Sequence, residues 1–236
     1  MVKSLRFLTR YTVNEENSSL GVQSQAFSFN ISERFRGYLP IVVDVETAGL
    51  DPNENALLEI ALMTVVPDEK GFLHPGTLMS SCIRPFKDSV ICDENIAFLG
   101  IDPFDESRNL RNEEEVLPEF FKFVKKEIKA YGCKRAVLVG HNGSFDLGFV
   151  QAAAARIGWA KKCPFHPFSV MDTASLSFLV YGQSVLAKAC RAAGIEFEAS
   201  KAHTAAYDTT KECELFCKLY NSFTTFAGIP DPHAAD

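Results

Sequence analysis

The stretch IVVDVETAGL, Ile41 to Leu50, sets Asp44 and Glu46 into a run that otherwise reads as a buried strand. Alternate residues of a strand project to the same side, so the two carboxylates converge. Like charges held that close repel unless a cation lies between them, and an ionised carboxylate is costly to bury without a partner. Taken alone, the pair divides evenly between a metal site and solvent-facing acids at a strand end, with Thr47-Ala48-Gly49 as the turn.

Three further acids shift that balance. GHNGSFDLGF places Asp146 just after a strand and near a helix start, HTAAYDTTKE places Asp208 in the last helix behind His203, and Asp172 follows the strand FSVM. Each has an ordinary structural role open to it. Asp146 suits the positive end of a helix dipole, Asp172 an N-cap, and Asp208 a solvated helix face; a lone His203 is more often a loop or core histidine. Together they describe a different chemistry. Hard divalent cations take carboxylate oxygens, and two-metal phosphoryl hydrolysis needs several acids to hold ions about 4 Å apart. A neutral histidine can then accept the proton of the attacking water.

The spacing H-x-x-x-x-D constrains where the histidine lies. Five residues of ideal helix turn about 140° beyond a full revolution, so both side chains cannot face one site from one regular helix. His203 is therefore expected in the loop before the helix, with Thr204 as N-cap and Asp208 in the first turns.

Positioning these groups requires a sheet with helices. Strands are expected at 40–47, 56–66 and 78–84, followed by a helix over 113–131 whose Leu117, Phe120, Phe121, Val124, Ile128 and Tyr131 repeat at helical spacing. Then come strand RAVLVG, helix 145–157, strand FSVMD, small helices through 173–193 and a last helix over 204–221. That order predicts an α/β layered fold, a ribonuclease H-like mixed sheet flanked by helices. Residues 34–224 read as one domain, 1–33 as a flexible polar leader and 225–236 as a tail.

Composition sets limits on function. No apolar run approaches the roughly 20 residues of a membrane span, and the basic start MVKSLRFLTR has too short an apolar segment for a signal peptide. Seven scattered cysteines without a C-x-x-C pair read as reduced structural thiols, and the setting as cytoplasmic. With net charge −6 and pI near 5.5, no global basic field attracts nucleic acid. A polyanion would need metal ions or a local patch.

The segments DVETAG, HNGSFD and HTAAYD, in that order, resemble the three exonuclease motifs of the DEDDh 3′–5′ exonuclease superfamily. The resemblance implies Asp44, Glu46, Asp146 and Asp208 as metal ligands, with His203 in the metal site as general base, and two Mg²⁺ ions for which Mn²⁺ can substitute. Finer features resemble the ribonuclease T family within it: RFRGYLPIVVDVETAG, ALLEIA, ENIAFLGIDP, CPFHPFSVMDTASL and GQSVLAKAC. That family implies a homodimer acting on single-stranded RNA 3′ ends, including the CCA end of tRNA and stable RNA precursors, with single-stranded DNA as a further substrate. It also implies Phe98, Phe145 and Phe168 as rings stacking on terminal bases and Glu94 as a base contact, with Asp172 supporting the site. Leu50, a further substrate-binding position, stands where the family has a phenylalanine; leucine can wedge against a base but offers no aromatic face.

The polar face of the 113–131 helix carries Lys122, Lys125, Lys126 and Lys129. It reads either as a solvated face or as a phosphate track joined by Arg34, Arg36, Arg135 and Lys161. The leading function is a metal-dependent 3′–5′ exoribonuclease. A DNA proofreading or repair exonuclease, or an oligoribonuclease, on the same core is the alternative. An inactive nucleic-acid-binding module fits less well, because all five motif residues are present.

Overall fold

The structure, a computed structural model, describes residues 29–228. Most of the leader and the end of the tail lie outside them. The packed domain begins earlier than Arg34: a short helix α1 (Ile31–Arg34) carries Ile31, only 2% exposed, into the core.

Three strands form an antiparallel meander, β1 (Tyr38–Thr47), β2 (Leu57–Pro67) and β3 (Leu73–Cys82). After α2 (Asp93–Leu99) and α3 (Glu113–Ala130), β4 (Arg135–Gly140) enters parallel to β1. Helix α4 (Ser144–Arg156) then crosses to β5 (Phe165–Asp172), parallel to β4. The sheet order is β3-β2-β1-β4-β5. α5 (Thr173–Tyr181), α6 (Leu186–Ala192) and α7 (Ala205–Ala227) complete the fold. The expected mixed sheet flanked by helices is what the chain forms.

β1 lies at the centre of the sheet, and nearly every residue from Leu39 to Thr47 is buried. A central strand covered on both faces loses the polar–apolar alternation of a half-exposed one, which explains the apolar run PIVV before Asp44. α3 and α4 pack on each other and on β1 and β4, while α7 lies across β1, β2 and β3.

Two strand boundaries depart from the sequence reading for one shared reason. β3 starts at Leu73 rather than 78 and β5 at Phe165 rather than 168, and each early portion contains a proline, Pro75 or Pro167. Proline cannot donate to a ladder and argues against an interior strand, but an edge strand tolerates it. Both are the outer strands of the sheet. The last helix runs to Ala227, six residues past the expected 221, because Thr224 is buried and extends the packed face.

Candidate active site

Three backbone crossings meet at the end of β1. The β1–β2 register shifts between Glu46 and Thr47, an irregularity of the kind that re-aims strand-end side chains. At the end of β4 the chain turns through His141, Asn142 and Gly143 into α4. Gly140 is required there: a Cβ on it would lie 2.8 Å from the Gly143 Cα and 3.2 Å from the Val43 carbonyl oxygen. The close approach lets Asp146, in the first turn of α4, accept a buried hydrogen bond of 3.0 Å from the Val45 N–H. The loop is held from behind by Asp172. Its carboxylate accepts the Asn142 N–H at 2.8 Å and caps α5 through Ala174 and Ser175. It thereby fixes the position of the Asn142 loop.

The third crossing is the start of α7. His203 lies in the loop before the helix, in the left-handed backbone region at φ 65°. Its N–H donates to Asp208 Oδ2 at 2.9 Å, tying this loop to the helix. Thr204 occupies the N-cap position, but its hydroxyl donates to the Lys201 carbonyl instead of capping. The cap comes from β2: Glu59 Oε2 accepts the Ala205 N–H at 3.1 Å, and Glu59 Oε1 pairs with Arg108 at 2.7 Å. The Phe98 ring packs on the His203 ring with centroids 4.4 Å apart.

The result is a cavity of about 470 Å³ lined by Asp44, Glu46, Phe98, His141, Asn142, Phe145, Asp146, His203, Asp208 and Glu212, among others. Its electrostatics are dominated by crowded, desolvated acids. Burial, then the charges of Asp208, Glu59 and Asp146, pushes Glu46 up to about 8. Burial raises Asp146 to about 7 against the hydrogen bonds it accepts. Asp44 and Glu212 lie well above the carboxylate range, first through burial and then through neighbouring acids. Burial raises Asp208 as well, opposed by the His203 N–H.

Such a cluster fits a hard divalent cation. Glu46, His203 and Asp208 each offer a ligand atom within 4.8 Å of the others. Among the described residues, Asp44 Oδ2, Asp208 Oδ1 and Glu212 Oε2 are buried with no hydrogen-bond partner. Unpaired buried carboxylate oxygens are costly, and a bound cation would satisfy them.

All five motif residues thus line one cavity, with Phe98 and Phe145 beside them. Leu50 (75% exposed), Glu94 and Phe168 are exposed and do not line that cavity, and Glu94 holds the Cys92 thiol at 3.1 Å. Phe168 stands edge-on to His166. No residue of the basic segment lines the cavity. Lys122, Lys125, Lys126 and Lys129 are exposed on α3, and Arg135 and Lys161 line a separate cleft beside Phe165 and Pro167. Arg36 is exposed in the turn before β1, whereas Arg34 lies over the Phe35 and Tyr220 rings. The sequence reading passed over Glu59 and Glu212. Glu212 stands four residues after Asp208, a spacing that puts both on one helix face. Glu59 carries no such signal, since its meeting with α7 is tertiary.

Among solved structures, Escherichia coli exonuclease I in complex with a dT13 oligonucleotide shares the fold with a TM-score of 0.60 at 17% identity, over 80% of this chain and 42% of that one. This chain therefore spans under half of that protein's length. The RNase T family model, described as an exonuclease, matches residues 41–216, from β1 through the first half of α7. Fold and centre are those of an exonuclease. Ribonuclease T of Vibrio parahaemolyticus is 48% identical over 86% of this chain and 95% of its own. Ribonuclease T of Escherichia coli is 47% identical over 87% and 95%. The chain belongs to the ribonuclease T family and is a 3′–5′ exoribonuclease.

Proposed function

We propose that the chain trims single-stranded 3′ ends of tRNA and other stable RNA precursors, releasing nucleoside 5′-monophosphates, with two Mg²⁺ ions held by Asp44, Glu46, Asp146 and Asp208. The observation that carries this reading is the convergence of Glu46, His203 and Asp208, with ligand atoms within 4.8 Å, on a cavity that also holds Asp44 and Asp146. Bound there, divalent ions supply acidification of the attacking water and neutralisation of charge at the phosphate. His203 takes the water proton, and its loop position lets the ring approach and leave the acids. Asp208 holds that loop through its backbone N–H. Phe98 and Phe145 at the cavity offer faces to splayed terminal bases; Phe168 and Leu50 would extend that platform outward, and Glu94 would contact a base edge. Stacking is worth about 1–3 kcal/mol per base, enough to select single-stranded ends over paired ones.

The same reading assigns a homodimer and a cytoplasmic setting. α5 and α7 present an exposed apolar face with Leu179, Val180, Phe223 and Phe226 around a cavity lined by Phe35 and Leu176. Faces of this kind mark protein contacts. A dimer would carry the exposed lysines and arginines of one subunit toward RNA bound in the other. All seven cysteines are free thiols, as suits a reducing compartment.

The test is digestion of matched RNA and DNA strands with varied 3′ ends, in Mg²⁺ or EDTA, read as product ladders. Stepwise shortening from single-stranded RNA 3′ ends, stalling near a stable duplex and stopping in EDTA, is expected. Internal cleavage, metal-independent activity, or uniform digestion through blunt duplexes would overturn the reading.

A further inference from the structure

The four acids of the motifs do not account for every carboxylate in the centre. Glu212 is 2% exposed, lines the same cavity, and has a buried Oε2 with no partner among the described residues. A glutamate in the covered face of a helix is a poor core residue. It loses hydration, and an unpaired carboxylate there is among the costlier groups a fold can bury.

Its place in the fold suggests why it is there. Along β1, Asp44 and Glu46 are two residues apart, a rise of about 6.6 Å. Along α7, Asp208 and Glu212 are four apart on one face, a rise of about 6 Å. The spacings match, and all four acids line one cavity. Glu46, His203 and Asp208 bring their ligand atoms within 4.8 Å of one another. Asp44 Oδ2 and Glu212 Oε2 are both buried there without a hydrogen-bond partner among the described residues, beside Asp146. Among neighbouring charges, Glu212 acts most strongly on Asp44, and Asp146 and then Asp208 act most strongly on Glu212.

We propose that Glu212 is a fifth acid of the metal centre, a divalent-ion-binding residue that shares the cavity with Asp44 and Asp146. This rests on the two-metal reading above and extends it. The motif acids alone balance the charge of two divalent ions; the Glu212 carboxylate adds a further negative charge, which strengthens ion binding and weakens the fold when ions are removed.

The experiment uses the full chain, with Glu212→Gln and Glu212→Met as near-isosteric variants and Asp44→Asn as comparator. Mn²⁺ binding is followed by electron paramagnetic resonance titration, and thermal unfolding is measured in EDTA and in excess Mg²⁺. Expected is a loss of roughly 10–100-fold in Mn²⁺ affinity for both Glu212 variants. Their melting temperature in EDTA should rise, because a repelled buried acid is gone, and the gain on adding Mg²⁺ should shrink. Wild-type Mn²⁺ binding in both variants would overturn the proposal while leaving the two-metal reading intact. So would melting in EDTA below wild type, or failure to fold, which would make Glu212 a structural residue. A wild-type chain whose Mn²⁺ binding is insensitive to Asp44→Asn would overturn both.

Discussion

Without a cation, Glu46 and Asp146 retain protons close to neutrality, at about 8 and about 7, against 4.5 and 3.8 for the free side chains. Across pH 4.5–8 the folded chain therefore binds more protons than the unfolded one, and its stability falls as pH rises through that window. Thermal unfolding in EDTA should show a melting temperature that declines from pH 5 to 8. Divalent ions compete with the same protons, so the increment from Mg²⁺ should grow over the same range; a flat EDTA profile would contradict the burial of these acids. His203 makes a separate prediction. In the proposed reaction it takes a proton from water, so His203→Ala should lower turnover by about 10²–10⁴-fold while RNA binding changes little. Asp44→Asn should abolish turnover with the fold intact. Single-turnover rates beside filter-binding affinities separate the two effects, and an undiminished rate in the histidine variant at neutral pH would remove the general-base assignment.

At the level of elements, the His203 loop is only as fixed as the start of α7, and the cap of that helix is borrowed from β2. Glu59 accepts the Ala205 N–H and pairs with Arg108, both partners being largely shielded from solvent. Glu59→Ala removes a cap, a change worth about 1 kcal/mol, and also leaves the Arg108 guanidinium without its partner. The expected outcome is a lower melting temperature and a fall in kcat larger than any change in KM, because the loop carrying His203 loses its anchor. Equal losses of kcat and stability on Thr204→Ala would show that the local hydroxyl is the cap after all. The geometry says otherwise, since that hydroxyl is committed to Lys201. Asp172→Ala tests the neighbouring loop. It should cost about 1 kcal/mol as a lost N-cap and also lower turnover, because Asn142 loses the acceptor of its N–H.

For the whole molecule, the unpartnered face of α5 and α7 and the remote basic residues pose one problem with one proposed solution. Leu179 and Phe226 are 83% and 91% exposed, and burying a leucine-sized side chain contributes roughly 1.5–3 kcal/mol. Leu179→Glu should convert a dimer into monomers in sedimentation velocity, with weaker RNA binding if the basic residues act across the interface. Mixing an Asp44→Asn chain with a chain lacking Lys125, Arg135 and Lys161 should restore activity, because one composite site of the mixed dimer is intact. Demonstrated subunit exchange with activity no higher than either parent would rule out shared sites and leave those residues as solvated charges.

Asp44, Glu46, Asp146, His203 and Asp208 were legible in the chain because short-range geometry governs them: strand alternation, a helix start, and a spacing that forces the histidine off the helix. The mixed sheet was legible from the order of its elements. The edge position of β3 and β5 was not, since sheet order is settled by packing between distant segments, and it is the edge position that tolerates the prolines in their first residues. Glu212 was within reach of helical spacing, but a glutamate on a helix reads as solvated until the fold covers that face. Glu59 was beyond reach. Its meeting with Ala205 spans 146 positions of sequence, and only the tertiary structure brings β2 against the start of α7, so only there does a strand acid become the cap of the helix that follows His203.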